Sequence, residues 1–305
     1  MPDLDFLTAH PFVRRLLVPV LFVVFFLVFV VTTFPYDTLA RRLEVEAGRN
    51  GGELSIGSMG PAGILGVRAR DVKLRLPPTP GSDTLPELHC ERADLRPDLL
   101  SLVLRKTGFG FSIEAYGGHA SGHASLSNDP REPGLLSLKL DATDLDLHAL
   151  PIKELAGLET TGRLNLKINL PSLQPADAAN GTVVVGVKGG AVTGGSMQGF
   201  PIPRLSLGDV DGSLTVEKGT AKVDKAQARG GDLDADVDGN VHLRPLFALS
   251  QAELHVKFKL TDKWLNDNSM IKGAMGLIQN ARQGDGSYVF TFSGPLTRMT
   301  PRPGR

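Results

Sequence analysis

The sequence holds one cysteine, one tryptophan and three tyrosines in 305 residues, and no excess of either charge, with 33 basic side chains against 33 acidic ones. A single thiol, Cys90, can form neither an internal disulfide nor a thiolate-rich metal site. The even charge balance and the lack of a Lys/Arg block remove the electrostatic footprint that nucleic-acid binding needs, so no nucleic-acid partner is expected. No GxxxxGK[ST], HExxH or GxSxG motif occurs, and the chain reads as a non-enzyme with no catalytic, cofactor-binding or metal-binding residue and no cofactor. Disorder is not implied either, because apolar residues make up 41% of the chain.

What is abundant is distributed unevenly. Seven of the 14 phenylalanines lie in the first 34 residues. There Leu16 to Phe34 runs without a charge, and its 19 residues reach roughly 28 Å as a helix, close to the hydrocarbon thickness of a bilayer. Pro19 falls in the first turn of that helix, where its missing N–H costs nothing. Arg14 and Arg15 precede the span and orient the leader, residues 1–15, toward the cytoplasm. The run is longer than the apolar core of a signal peptide and Thr38-Leu39-Ala40 is a poor cleavage site, so an uncleaved single-pass anchor over 16–34 is the reading.

After Phe34 the chain alternates. Val72 to Leu76, Leu136 to Leu140, Leu164 to Leu170 and Leu254 to Leu260 each place aliphatics on one side and polar groups on the other, the mark of half-buried antiparallel strands. Turn residues at Lys218-Gly219, Gly189-Gly190, Gly194-Gly195, Gly230-Gly231 and Asp238-Gly239-Asn240 suggest hairpins. Gly162-Arg-Leu164, Gly212-Ser-Leu214 and Gly239-Asn-Val241 form a loose repeat. Helices are few. Tyr36 to Ala47 behind Pro35, with Asp37 as N-cap, is one, Pro97 to Leu104 and Ile152 to Leu158 are two short ones, and Asp262 to Asn280 is the longest. The fold class is mainly β, with a transmembrane helix, one extended antiparallel sheet domain over 35–300, and a frayed tail at 301–305. Pro77 to Pro86 reads as a loop inside the sheet domain. The loops near Asn128 to Gly134 and Leu173 to Asn180 are candidate divisions between lobes, the second placing a joint near 171–180.

Three constellations invite a chemical role and have plainer explanations. His119 and His123 share a strand face but lack a third ligand at metal spacing. His89-Cys90 point to opposite faces of a strand and so make a poor nucleophile pair. Asp232, Asp234, Asp236 and Asp238 alternate with Leu233, Ala235 and Val237, which makes them a wet strand face and not an EF-hand loop. Two binding modes stay open. The dry face of a long sheet takes acyl chains if nothing covers it, or closes if the sheet folds over and the 262–280 helix packs into its mouth; free edge strands accept a partner's strand.

A spanning helix ending in Phe34-Pro35-Tyr36-Asp37, followed by Leu39 and Arg42-Leu43, leads into Gly66-Val-Arg-Ala-Arg-Asp71-Val-Lys-Leu74 and Arg96-Pro-Asp-Leu-Leu-Ser101-Leu. Together with the stretches from Ile202 to Gly212 and from Gly230 to Gly239, these residues resemble the long form of the N protein family of type II secretion systems. The last block also resembles the AsmA-like superfamily, whose taco-shaped sheets cradle lipid. The resemblance implies an elongated, curved antiparallel sheet in the periplasm of a Gram-negative bacterium, anchored once in the inner membrane. It implies a non-enzymatic role in exporting folded proteins across the outer membrane, with other secretion components as partners. The alternative it implies is a periplasmic lipid-binding or lipid-transfer module.

Overall fold

Alternating aliphatic and polar side chains commit most of the chain to strands, since only a pleated backbone sends such residues to opposite faces. The computed structural model describes residues 21–304 apart from 23–24, 27, 50–51, 64, 76–85, 99–106, 128–133, 198–199 and 245–248. The strands are β1 (Glu53–Ala62), β2 (Gly66–Arg75), β3 (Glu87–Pro97), β4 (Thr107–Ala115), β5 (Gly118–Leu126), β6 (Leu135–Asp146), β7 (Leu158–Ser172) and β8 (Asn180–Met197). They continue with β9 (Phe200–Pro201), β10 (Leu205–Glu217), β11 (Thr220–Arg229), β12 (Leu233–His242), β13 (Gln251–Leu260), β14 (Tyr288–Pro295) and β15 (Thr300–Pro303). All but β9 follow one another in a single antiparallel path in chain order, and β9 pairs with β8 alone. This is one open meander of fourteen strands. The connection from β7 to β8, with a 3₁₀ turn at Ala176–Ala178, joins directly paired strands, so the sheet runs unbroken past residues 171–180.

The chain enters this sheet through helices. Residues 21–22, 25–26 and 28–33 are helical, and a break at Phe34 and Pro35 separates them from helix α1 (Tyr36–Arg49). The leader 1–15 and the first part of the expected span, 16–20, lie outside the described residues, among which no helix is long and apolar enough to cross a membrane. Asp37 is not the N-cap of α1. The helix begins at Tyr36, and the carboxylate lies inside the first turn, where it still meets the positive end of the helix dipole. Helix α2 (Ile152–Ala156) stands where the sequence places it and ends on Gly157 at φ 71°. Pro97 ends β3 and is not helical, and 99–104 lie outside the described residues.

Other expectations give way. Asp262 to Asn280 is not one longer helix but helix α3 (Asp262–Asp267), helix α4 (Ser269–Met275) and a 3₁₀ stretch at Gly276–Ala281, broken at Asn268, whose φ of −123° and ψ of 68° are not helical. Asn268 donates its side-chain amide to the Trp264 carbonyl, a local bond that competes with the helical ladder. The tail does not fray: Thr300–Pro303 pairs with β14 as the last strand. Gly189-Gly190, Gly194-Gly195 and Asp238-Gly239-Asn240 are not hairpin turns but lie inside β8 and β12. Gly239, at φ 135°, shows why glycine is needed there, because a Cβ would collide with the Glu253 carbonyl of β13. Lys218-Gly219 does form its hairpin, with φ of 48° and 74°.

The two edges of the sheet are closed by different means. On β15, Gly304 N donates to Val289 O, which turns the nitrogens of Pro301 and Pro303 to the outer side, where proline has no proton to offer. On β1, α1 lies along the edge, and the Glu44 carboxylate accepts the outward amide of Ile56 at 2.9 Å.

Burial is thin throughout. Apart from Val216, Trp264 and two prolines, Pro86 and Pro151, every buried apolar side chain among the described residues is alanine. A single sheet has no opposing layer, so stability rests on ladders of backbone bonds and cross-strand pairs more than on a core.

Candidate functional site

Residues directly opposite on antiparallel strands share a face, so one line of partners can be followed across the whole sheet. It starts at Pro61 on β1 and passes through Val67, Leu95, Phe111, Gly122, Leu140 and Ile168 on β2 to β7. It continues through Val183, Leu214, Val223, Gly239, Leu254 and Phe292 to Pro301 on β15. No member is polar. At about 4.8 Å between strands, the line is roughly 60 Å long.

One residue away lies its opposite. From Arg96 on β3 the partners are Gly110, His123, Lys139, Asn169, Thr182 and Thr215, then Lys222, Asn240, Glu253, Ser293 and Thr300. No member is aliphatic, which makes this the wet face.

The dry face is wider than one line. Two residues to either side, Ala142, Leu166 and Val185 pair in one row and Leu138 with Leu170 in another. Where β6 to β8 meet, the three rows make a strip about 14 Å across. Along the line Pro61, Leu95 and Pro301 are exposed and the other members are half-buried against one another. Aromatic rings concentrate toward its ends. Phe109 and Phe111 lie 6.4 Å apart on β4, and Phe258 stacks on Tyr288 and Phe290 at 5.7 and 6.2 Å on β13 and β14. Gly122 is the floor beneath the first group, since a Cβ there would lie 2.6 Å from Phe111 Cζ.

Among the described residues no second layer covers this strip, and its one packed corner is where Ala179 of the β7–β8 connection, with Val216 and Ala221, meets Leu170 and Leu214. The sheet has no second layer; α1 lies on β1, α2 on β7, and the 3₁₀ stretch after α4 touches β14 and β15. The 262–281 segment is held instead at its base, where the only tryptophan, Trp264, is buried and donates Nε1–H to the Arg204 carbonyl at 2.7 Å. Met270 and Leu277 stay 61% and 86% exposed, so the segment does not pack into a closed mouth.

The polar residues singled out from the sequence take structural places on or beside the wet face. Asp234, Asp236 and Asp238 on β12 stand directly opposite Lys259, Lys257 and His255 on β13, an acidic strand paired with a basic one. Asp236 also pairs with Arg229, Lys257 with Asp285, and Asp232 accepts the Ser206 amide at 3.0 Å. The alternation of His255, Lys257 and Lys259 was the sequence signal for these partners. His119 and His123 share one face of β5, but four strand residues span about 13 Å, too far for one ion. Their neighbours are Glu114 and Thr143, and Gly110 and Lys139. Among the described residues, no three His, Cys, Asp or Glu side chains stand close enough together to hold a metal. His89 and Cys90 diverge: His89 Nε2 meets Asp71 Oδ1 at 3.1 Å, whereas Cys90 Sγ donates to the Arg92 carbonyl at 3.1 Å. Burial pushes the Cys90 thiol up, away from the reactive thiolate.

Sequence reasoning missed Asp94. It is 5% exposed and gripped by Arg68 at 2.7 and 2.9 Å and by Arg92 at 3.2 and 2.9 Å, and these guanidinium hydrogen bonds hold its carboxyl far below the usual carboxylate range. Only the β2–β3 register joins these three. Also unforeseen is a notch where β3 runs past β4. Cavities of about 400 and 320 Å³ meet there at Glu87, beneath the 147–154 loop, with His89 N donating to Tyr116 Oη. No protein-family model matches this chain, nor does any curated protein or solved structure.

Proposed function

We propose that this chain is a membrane-anchored, non-enzymatic component of the type II secretion pathway whose working surface is the dry sheet face, a seat for acyl chains. The carrying observation is the register line from Pro61 to Pro301, apolar at every strand and with no second layer over it among the described residues. An acyl chain asks for no directed hydrogen bond, and a smooth aliphatic and aromatic strip provides none. The secretion setting rests on the resemblance at Phe34 to Tyr36, Gly66 to Leu74 and Ile202 to Gly239. The charge-free run of Leu16 to Phe34 supports the inner-membrane anchor with the sheet on the periplasmic side.

A second reading, a lipid-transfer module independent of secretion, draws support from length. Half of a bilayer core is about 15 Å, so a strip of roughly 60 Å exceeds one acyl chain several times over. The test is mass spectrometry of the detergent-purified full chain beside a Leu166→Glu, Leu254→Glu variant. Co-purified phospholipid that disappears in the folded variant supports the seat, and secretion components retained by both support the pathway. Lipid without secretion partners favours the second reading. Wild-type protein free of lipid ends the acyl-chain proposal.

A further inference from the structure

An open sheet of fourteen strands offers two free edges, and natural sheets must blunt both to avoid pairing with other chains. Here the two devices differ in kind. The β15 edge is blocked covalently, because Pro301 and Pro303 present no proton on the outer side. The β1 edge is merely occupied. Helix α1 buries only Ala40 and leaves Leu43 and Val45 at 42% and 59% exposure. Among the described residues, its one bond to a β1 amide is that from Ile56 to the Glu44 carboxylate, beside a turn bond from Gly52 N to Ala47 O.

We propose that the β1 edge is a docking site for an extended strand of a partner protein, and that α1 is a displaceable strap over it. A helix cannot satisfy a strand edge, since its own backbone bonds are internal, whereas an incoming strand pairs with every second residue of β1. Glu44 therefore stands in for a backbone carbonyl that the partner would supply. The strap continues from the helical residues 28–33 through the break at Phe34 and Pro35. Given the proposed membrane anchor, on which this step rests, a partner at the membrane surface meets this edge first. The prolines make docking one-ended: a second copy cannot add through its β15, and the sheet does not grow into a filament.

The test uses the full chain in detergent and, as probe, a synthetic ten-residue peptide with the sequence of β2, Gly66–Arg75, the strand that pairs with β1 on its other side. Hydrogen exchange at the Ile56 amide reads the edge. Glu44→Ala should raise its exchange about tenfold, the loss of one bond to a charged acceptor, while Glu44→Gln, which keeps an acceptor, should not. The peptide should restore protection in Glu44→Ala and bind it about tenfold more tightly than wild type, and its backbone-N-methylated form should do neither. As a check on the edge itself, Pro301→Thr with Pro303→Thr should create a second peptide site on β15. Peptide that leaves Ile56 exchange unchanged in Glu44→Ala overturns the docking site. Concentration-dependent self-association of Glu44→Ala, with no response to peptide, overturns the partner in favour of a second copy.

Discussion

Two lines of residues run across the sheet one position apart, the dry one over fourteen strands and the wet one over the twelve from β3 to β15, and they are held in opposite ways. The wet line lies on a face laced with cross-strand ion pairs, such as Lys188 with Asp209 at 2.7 Å and Lys167 with Asp141 at 3.4 Å. The dry line meets no second sheet layer among the described residues; its side chains pack against one another and, at Leu214, against the cluster that holds Ala179 of the β7–β8 connection. Polar groups on the wet side thus find protein partners where water could also have served, while the dry side lacks the second surface that only another layer could supply. A protein whose dry face waits for an occupant has that asymmetry; a closed sandwich does not.

The comparison can be broken most severely from the dry side. Leu166→Glu with Leu254→Glu should abolish stoichiometric lipid binding while the far-ultraviolet circular dichroism keeps its β signal, because a charge on an uncovered face can still reach water. In a sealed core the same change would unfold the chain, and that outcome would show that the strip is closed. The single tryptophan, anchored at Arg204, gives an independent readout of whether the far end of the sheet stays folded.

On the wet side the largest effect belongs to Asp94. Asp94→Asn should lower unfolding free energy by about 2 kcal/mol in urea titration at neutral pH, the scale of a hydrogen bond between charged groups. Its folded pKa is depressed, so its contribution is present above the unfolded value near 4 and is lost as pH falls below that. The wild type should accordingly lose stability more steeply than Asp94→Asn below pH 4.

Smaller effects sharpen the contrast. Gly239→Ala on the dry line puts a Cβ against the Glu253 carbonyl and should cost about 1–3 kcal/mol, whereas Gly60→Ala, where a Cβ meets nothing within 4 Å, should be close to neutral. Least of all, the Cys90 thiol should label slowly with a maleimide at pH 7.5 in the native state and rapidly in urea, since burial disfavours the thiolate.

Much of this was written in local sequence. The runs at 136–140, 164–170 and 254–260 became strands in β6, β7 and β13, because a period of two is a property of neighbouring residues alone. Lys218-Gly219 made its turn because positive φ at two successive positions is local as well. Glycines inside strands misled for a related reason: Gly189, Gly195 and Gly239 have the backbone freedom of a turn, yet whether the chain reverses or only bends depends on a neighbouring strand distant in sequence, as Leu158 is from Gly195. The Pro-rich tail misled likewise, since proline is excluded from a ladder only on the side that must donate.

The amino-acid sequence by itself determined that a dry face exists, which residues belong to it, and that a charge-free run of 19 residues, Leu16 to Phe34, precedes it. Tertiary structure decided what the face is next to. Alternation fixes the side to which Leu140, Leu166 and Leu254 point, but their alignment into one unbroken strip, the meeting of Arg68 and Arg92 at Asp94, and the different closures of the two edges follow from register and strand order. Those are set by pairings between residues tens of positions apart, and no local pattern encodes them.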